Sequence, residues 1–145
     1  VLLVEDSAAD AEMTLEALST DQVIKEVVLV QDGAVAMEYL HRQGSYADRS
    51  PENPALILLD LKLPKKDGLE VLREIRGDEG LKLIPVVMLT SSEEESDLVR
   101  SYRMGANGYV VKPVKYEEFL SVVSSLGAFW GGINKPPPCS GGPAR

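Results

Sequence analysis

Ala55-Leu56-Ile57-Leu58-Leu59-Asp60 is the stretch whose reading decides the fold. An unbroken apolar run that stops on a carboxylate has no polar face to offer water. It suits a central strand buried on both sides, as in a parallel sheet covered by helices. Shorter runs of the same kind lie to either side: Val1-Leu2-Leu3-Val4 before Glu5-Asp6, Val27-Val28-Leu29-Val30, Pro85-Val86-Val87-Met88-Leu89 before Thr90, and Tyr109-Val110-Val111 before Lys112-Pro113.

Helical patterns fill the gaps between them. Ser7 reads as an N-cap, with Asp10 as a weak capping partner and Ala8, Ala11, Leu15 and Leu18 at helical spacing up to Thr20-Asp21. Asp32-Gly33 turns the chain into a second helix carrying Ala36, Tyr39 and Leu40. The segment from Gly44 to Pro54 is polar and holds two prolines, which is loop composition. A third helix runs from about Leu69 to Arg76, after a loop bracketed by Pro64 and Gly68. Ser91-Ser92 is expected to cap the fourth, with Glu93, Glu94 and Glu95 in its first turn and Gly105 and Gly108 at its end. The last begins near Tyr116 and carries Phe119, Val122, Val123, Leu126, Phe129 and Trp130. Strands alternating with helices predict an α/β domain, a parallel sheet with helices on both faces, and right-handed crossovers leave few topologies. The domain is expected over residues 1–131. Residues 132–145, with Pro136-Pro137-Pro138 followed by Ser and Gly, read as an extended or disordered tail.

Composition sets outer limits. With 145 residues, 44% hydrophobic and 26% charged, the chain suits one soluble domain. Its formal net charge of −8 argues against direct nucleic-acid binding and against an anionic membrane surface, which would need clustered Lys and Arg. No apolar run approaches the roughly 20 residues of a membrane helix. No signal peptide is visible, although the chain opens at Val1 without a Met. Cys139 is the lone cysteine and reads as a passenger in the tail, consistent with a reducing, cytoplasmic compartment. His41 reads as a solvated residue, and a single histidine cannot build a Ser-His-Asp or histidine-rich zinc site.

The chemistry gathers where the strands end. In open parallel sheets, ligands bind beyond the carboxyl ends of the strands. There stand Glu5 and Asp6, Asp60, Thr90 and Lys112. Carboxylates crowded together repel one another. A hard divalent cation such as Mg²⁺ (or Mn²⁺) relieves that repulsion and can neutralise an incoming phosphoryl group. Lys112 and Thr90 offer a charge and a hydroxyl to further phosphoryl oxygens, and Asp60 is the natural nucleophile. Alone, Glu5 and Asp6 would read as helix-capping acids, Thr90 and Tyr109 as ordinary strand-end residues, and Lys112 as a surface lysine.

Together, Leu3-Val4-Glu5-Asp6-Ser7, Leu58-Leu59-Asp60-Leu61-Lys62-Leu63-Pro64, Lys66-Asp67-Gly68, Val87-Met88-Leu89-Thr90-Ser91, Gly105-Ala106, Tyr109 and Lys112-Pro113 resemble the receiver domain of two-component response regulators. The resemblance covers residues 1–130. It implies a flavodoxin-like sheet in the order 2-1-3-4-5 with five helices, and a signalling protein rather than an enzyme. It implies phosphorylation of Asp60 by a sensor histidine kinase or a histidine phosphotransfer protein. Asp6, Asp60 and the Lys62 backbone carbonyl would bind Mg²⁺ directly, and Glu5 mainly through water. Thr90 and Tyr109 would form the switch pair, Lys112 would hold the phosphoryl group, and Lys112-Pro113 would be a cis peptide. Glu5 stands where Asp is also common, and the variable Lys62 would tune dephosphorylation. A narrower resemblance, to single-domain regulators paired with bacterial phytochromes, rests on the Gly44–Pro54 insert, Leu63-Pro64-Lys65-Lys66-Asp67-Gly68 and Phe129-Trp130. It implies a phytochrome-type kinase and a homodimer through the fourth helix, fifth strand and fifth helix.

Alternatives remain at this level. An aspartyl phosphohydrolase resembling the haloacid dehalogenases would carry a second Asp two residues after the nucleophile, where this chain has Lys62. A phosphorylation-independent interaction module would not need the full acidic, Thr and Lys set. A phosphorelay shuttle would use the same residues as the switch.

Overall fold

The computed structural model describes residues 1–19 and 26–138. The expected helix end at Thr20-Asp21, and Cys139, lie outside them. The elements run β1 (Leu2–Val4), α1 (Ala8–Ser19), β2 (Val28–Val30), α2 (Gly33–His41), β3 (Ile57–Leu59), α3 (Gly68–Gly77), β4 (Val86–Thr90), α4 (Glu95–Arg103), β5 (Gly108–Val111) and α5 (Tyr116–Ala128). The strands form one parallel sheet in the order β2-β1-β3-β4-β5. Leu58 of β3 lies between Leu3 and Val87, which places the apolar stretch at the centre of the sheet.

The two-residue period of a strand explains why that stretch is apolar throughout. Leu2, Val4, Ile57, Leu59, Val86 and Met88 face one way and pack with Ala36, Met37 and Leu40 of α2 and Val71, Leu72 and Ile75 of α3. Leu3, Leu58, Val87 and Leu89 face the other way and pack with Ala17 and Leu18 of α1 and Phe119 and Val123 of α5. Two cores back to back leave no solvent side for the middle strands. Each buried Leu or Ile there contributes about 1.5–3 kcal/mol relative to exposure.

Helix starts follow local chemistry. Asp32 accepts from the Val35 amide at 2.8 Å and Asp67 from the Glu70 amide at 3.0 Å, capping α2 and α3. At α1, Ser7 Oγ accepts from the Asp10 amide at 3.3 Å, as the sequence predicts. The start of α4 differs from expectation. It begins at Glu95, with Glu94 in the N-cap position, so its first-turn acids are Glu95 and Asp97. The cause is Ser92, whose Oγ donates to Asp97 Oδ2 at 2.6 Å and accepts from the Glu94 amide at 3.3 Å. That turn occupies the residues expected to be helical, and Glu93 lies ahead of the helix. Helix α4 buries only Ser101 and leaves Leu98, Val99 and Tyr102 exposed.

Helix α5 ends at Ala128, and Phe129–Ile133 form a wide π-type turn. There Trp130 packs against the α1–α5 core, while Phe129, edge-on to it at 5.1 Å, is exposed. The Gly44–Pro54 segment holds a short 3₁₀ turn, Gly44–Tyr46. Arg49 organises it, stacking on Tyr39 at 4.2 Å and donating to the carbonyls of Tyr39, Leu40, Ser50 and Glu52.

Candidate functional site

The parallel register carries the sequence-predicted residues to one edge. Beyond β1, the Glu5 amide donates to the Val30 carbonyl at 3.0 Å. Beyond β3, the Asp60 amide donates to the Val4 carbonyl at 3.2 Å. Beyond β5, the Lys112 amide donates to the Thr90 carbonyl at 2.7 Å. Glu5, Asp60 and Lys112 are thus each held to the neighbouring strand by a backbone bond just past the end of their own strand.

At the centre is the Lys112 ammonium, its side chain 7% exposed. It donates to Glu5 Oε1 at 2.6 Å, Asp10 Oδ2 at 2.8 Å and Asp60 Oδ2 at 3.1 Å. Burial by itself would lower the Lys112 pKa, but Asp10 and Glu5, and then Asp60, more than offset this and hold it above the ordinary lysine value. Glu5 is buried, and burial outweighs the Lys112 hydrogen bond, with the Asp60 charge adding to it, so its carboxyl rises from 4.5 to about 7. Asp60 and Thr90 are buried as well, whereas Asp6 is exposed.

Glu5, Asp6 and Asp60 each offer a carboxylate oxygen, and these oxygens lie within 4.8 Å of one another. Hard oxygen donors at that spacing fit a divalent cation such as Mg²⁺ or Mn²⁺. A lysine already seated on two of these groups does not bring the local charge to neutrality, so a cation remains electrostatically favourable.

Thr90 and Tyr109 meet through Ser92. Thr90 Oγ1 accepts from the Ser92 amide at 3.3 Å, and the Tyr109 hydroxyl donates to the Ser92 carbonyl at 3.0 Å. Burial raises the Tyr109 phenol pKa, and the bond to Ser92 partly counters that. On the other side, Gly68 at the start of α3 packs under the acidic edge. A Cβ there would overlap the Asp60 carbonyl oxygen, so only glycine permits this approach.

Of the predicted site residues, Glu5, Asp6, Asp60 and Lys112 are brought together, and Thr90 and Tyr109 share Ser92. Lys62 is exposed, and none of the hydrogen bonds within this group involves its side chain. One expectation is corrected. The Lys112–Pro113 peptide is trans, like every other peptide bond among the described residues. An X–Pro bond still favours trans by about 0.5–1 kcal/mol. Sequence reasoning missed Asp10 as a site residue and saw only a capping partner. The available signal was its place in the first turn of α1, which starts at the same sheet edge.

Residues 1–124 match the response regulator receiver domain family. Response regulator Rcp1 of Synechocystis sp. is 45% identical over 130 residues, covering 90% of this chain and 87% of Rcp1. The crystal structure of the Mn²⁺-bound form of Rcp1 superposes with a TM-score of 0.88 at 43% identity, over 94% of this chain and 96% of that one. The phosphorylated cyanobacterial phytochrome response regulator RcpA gives 0.89 at 46% identity, over 94% and 96%. The bacteriophytochrome response regulator RtBRR gives 0.75 at 55% identity, over 96% and 84%. The chain therefore belongs to the response regulator receiver family of two-component signalling proteins. No helix among the described residues is long and apolar enough to cross a membrane.

Proposed function

We propose that this receiver is a phosphoacceptor switch in which Asp60 takes a phosphoryl group from a histidine kinase. The observation that carries the reading is the meeting of Asp60 with Lys112, Glu5 and Asp6 at the carboxyl edge of the sheet. In the transfer, an Asp60 carboxylate oxygen forms a bond to phosphorus as the P–N bond of the donor phosphohistidine breaks. The imidazole keeps that electron pair and takes a proton from water. Lys112 stands where it can offset charge on a phosphoryl oxygen, and Thr90 supplies a hydroxyl donor to another. Glu5, Asp6, Asp60 and the Lys62 carbonyl are the groups assigned to the cation. A bound Mg²⁺ supplies charge neutralisation at the phosphoryl group.

Thr90 and Tyr109 are assigned the switch. Two packings of this pair, biased by the phosphoryl group, amount to a population shift that reaches α4 through Ser92 and Asp97. The output face is the one bearing α4, β5 and α5, where Leu98, Val99, Tyr102 and Val111 are exposed. Such a cluster of apolar side chains supports a homodimer through that face. The likeness to RcpA, RtBRR and Rcp1 supports a phytochrome-type sensor kinase as phosphodonor in the cytoplasm. The functional unit is residues 1–131, with residues 132–145 as its tail.

The test is incubation with acetyl phosphate and Mg²⁺ followed by intact-mass measurement, with Asp60→Asn alongside. One added phosphoryl group on the wild type alone, dependent on Mg²⁺, is expected. No adduct, or an equal adduct on Asp60→Asn, would redirect the reading to a phosphorylation-independent interaction module.

A further inference from the structure

We propose that Asp10 is a positioning residue that anchors Lys112 while the other carboxylates of the site are engaged elsewhere. The inference rests on the phosphoacceptor reading and adds a residue to it.

Lys112 has three ammonium donors, and three carboxylates take them: Glu5 at 2.6 Å, Asp10 at 2.8 Å and Asp60 at 3.1 Å. Glu5 and Asp60 also belong to the oxygen cluster suited to a cation, and Asp10 does not. When a cation draws on Glu5 and Asp60, and a phosphoryl group occupies Asp60, Asp10 is the carboxylate still free to hold the ammonium. Lysine needs such a holder, because its charge rides on a flexible four-carbon stem.

Asp10 is itself well fixed. It sits in the first turn of α1, where its amide donates to Ser7 Oγ at 3.3 Å and its carbonyl accepts from Thr14 Oγ1 at 2.7 Å. Helix α1 is tied in turn to α5, since Ser124 Oγ donates to the Ala17 carbonyl at 3.3 Å. Asp10 therefore sets the ammonium position against the body of the domain, not against groups that change partners during the reaction. A charge-stabilising donor that is present but loosely held loses part of its effect.

Two readouts test this on the whole chain. The first needs no phosphate: the ¹⁵N-detected ammonium resonance of Lys112, assigned by its loss in Lys112→Arg. At saturating Mg²⁺, where Glu5 and Asp60 are drawn to the cation, it is expected to be protected from solvent exchange in the wild type and to disappear in Asp10→Ala and Asp10→Asn, the second being isosteric in case the alanine variant folds poorly. The second is the phosphorylation rate with acetyl phosphate at saturating Mg²⁺. Asp10→Ala is expected to slow it about tenfold, less than the hundredfold or more of losing a charge-stabilising donor outright. Asp10→Glu should restore most of it, and in a Lys112→Ala background Asp10→Ala should change nothing further. A protected ammonium in both Asp10 variants, or an equal rate loss in both backgrounds, would overturn the assignment. Failure of the wild type to take any phosphoryl group would overturn the phosphoacceptor reading instead, and the ammonium resonance would still decide whether Asp10 is the anchor.

Discussion

Lys112 Nζ donates to Glu5 Oε1 at 2.6 Å across 107 residues of chain, and both groups are almost fully shielded from water. The bond does not fully offset what burial costs the Glu5 carboxylate, whose pKa remains raised to about 7. A carboxyl raised in the folded state binds a proton that the unfolded chain has already released. Folding stability therefore falls as pH rises from 4.5 to about 7 and is level above that. Lys112 stays charged throughout this window and adds no slope. Urea unfolding of the cation-free protein at pH 5 and pH 8 should show the wild type losing up to about 3 kcal/mol more than Glu5→Gln. Equal slopes in the two proteins would mean that Glu5 titrates normally.

Divalent cation should stabilise the fold through the same carboxylates. At a free Mg²⁺ concentration about 100 times Kd, the gain is about 2.7 kcal/mol. Thermal melts with and without Mg²⁺ should show a rise in Tm for the wild type, reversed by chelator and much reduced in Asp6→Asn and Asp60→Asn. Persistence of the full shift in those variants would place the cation elsewhere.

Lys62 is exposed two residues beyond Asp60. Its ammonium, paired with a phosphoryl oxygen, would impede water attack. An exposed pair is worth about 0.2–1 kcal/mol, so Lys62→Ala should shorten the phosphoryl lifetime by up to about fivefold. The decay of the phosphorylated mass after donor removal measures this directly.

Gly68 has no room for a methyl group beneath the Asp60 carbonyl. Gly68→Ala should cost about 1–3 kcal/mol in urea unfolding and slow phosphorylation, because the backbone that carries the acceptor must move. Gly77→Ala is the control, since a Cβ at Gly77 meets nothing within 4 Å.

Exposed Leu98 and Tyr102 lie on α4. If this face joins two copies, Leu98→Asp and Tyr102→Asp should convert the dimer to a monomer in light-scattering chromatography while leaving Tm within a few degrees. A dimer that persists in both variants would point to another face.

The local code was legible where a residue's neighbours in sequence are also its neighbours in space. The unbroken apolar run of β3, the cap at Ser7 and the helical spacing of Ala11 and Leu18 in α1 and of Phe119 and Val123 in α5 depend on contacts within a few residues, and the structure repeats them, although Ala8 and Phe129 are exposed. The strand-end acids, Thr90 and Lys112 were legible because a parallel sheet sends every carboxyl end to one edge. The start of α4 was not, since Ser91-Ser92 fits a helix cap equally well until Ser92 is seen to spend its hydroxyl on Asp97.

By itself, then, the sequence determined a parallel α/β domain and the edge on which its polar residues gather, because hydrophobic period and strand polarity are local properties. The tertiary structure alone decided which acids the Lys112 ammonium reaches. Asp10 joins Glu5 and Asp60 on it only because the long Lys112 side chain, leaving the end of β5, reaches the first turn of α1, 102 residues away along the chain. A charge on a flexible stem takes its partners from whatever the packed helices bring within hydrogen-bond range, and no spacing in the sequence encodes that distance.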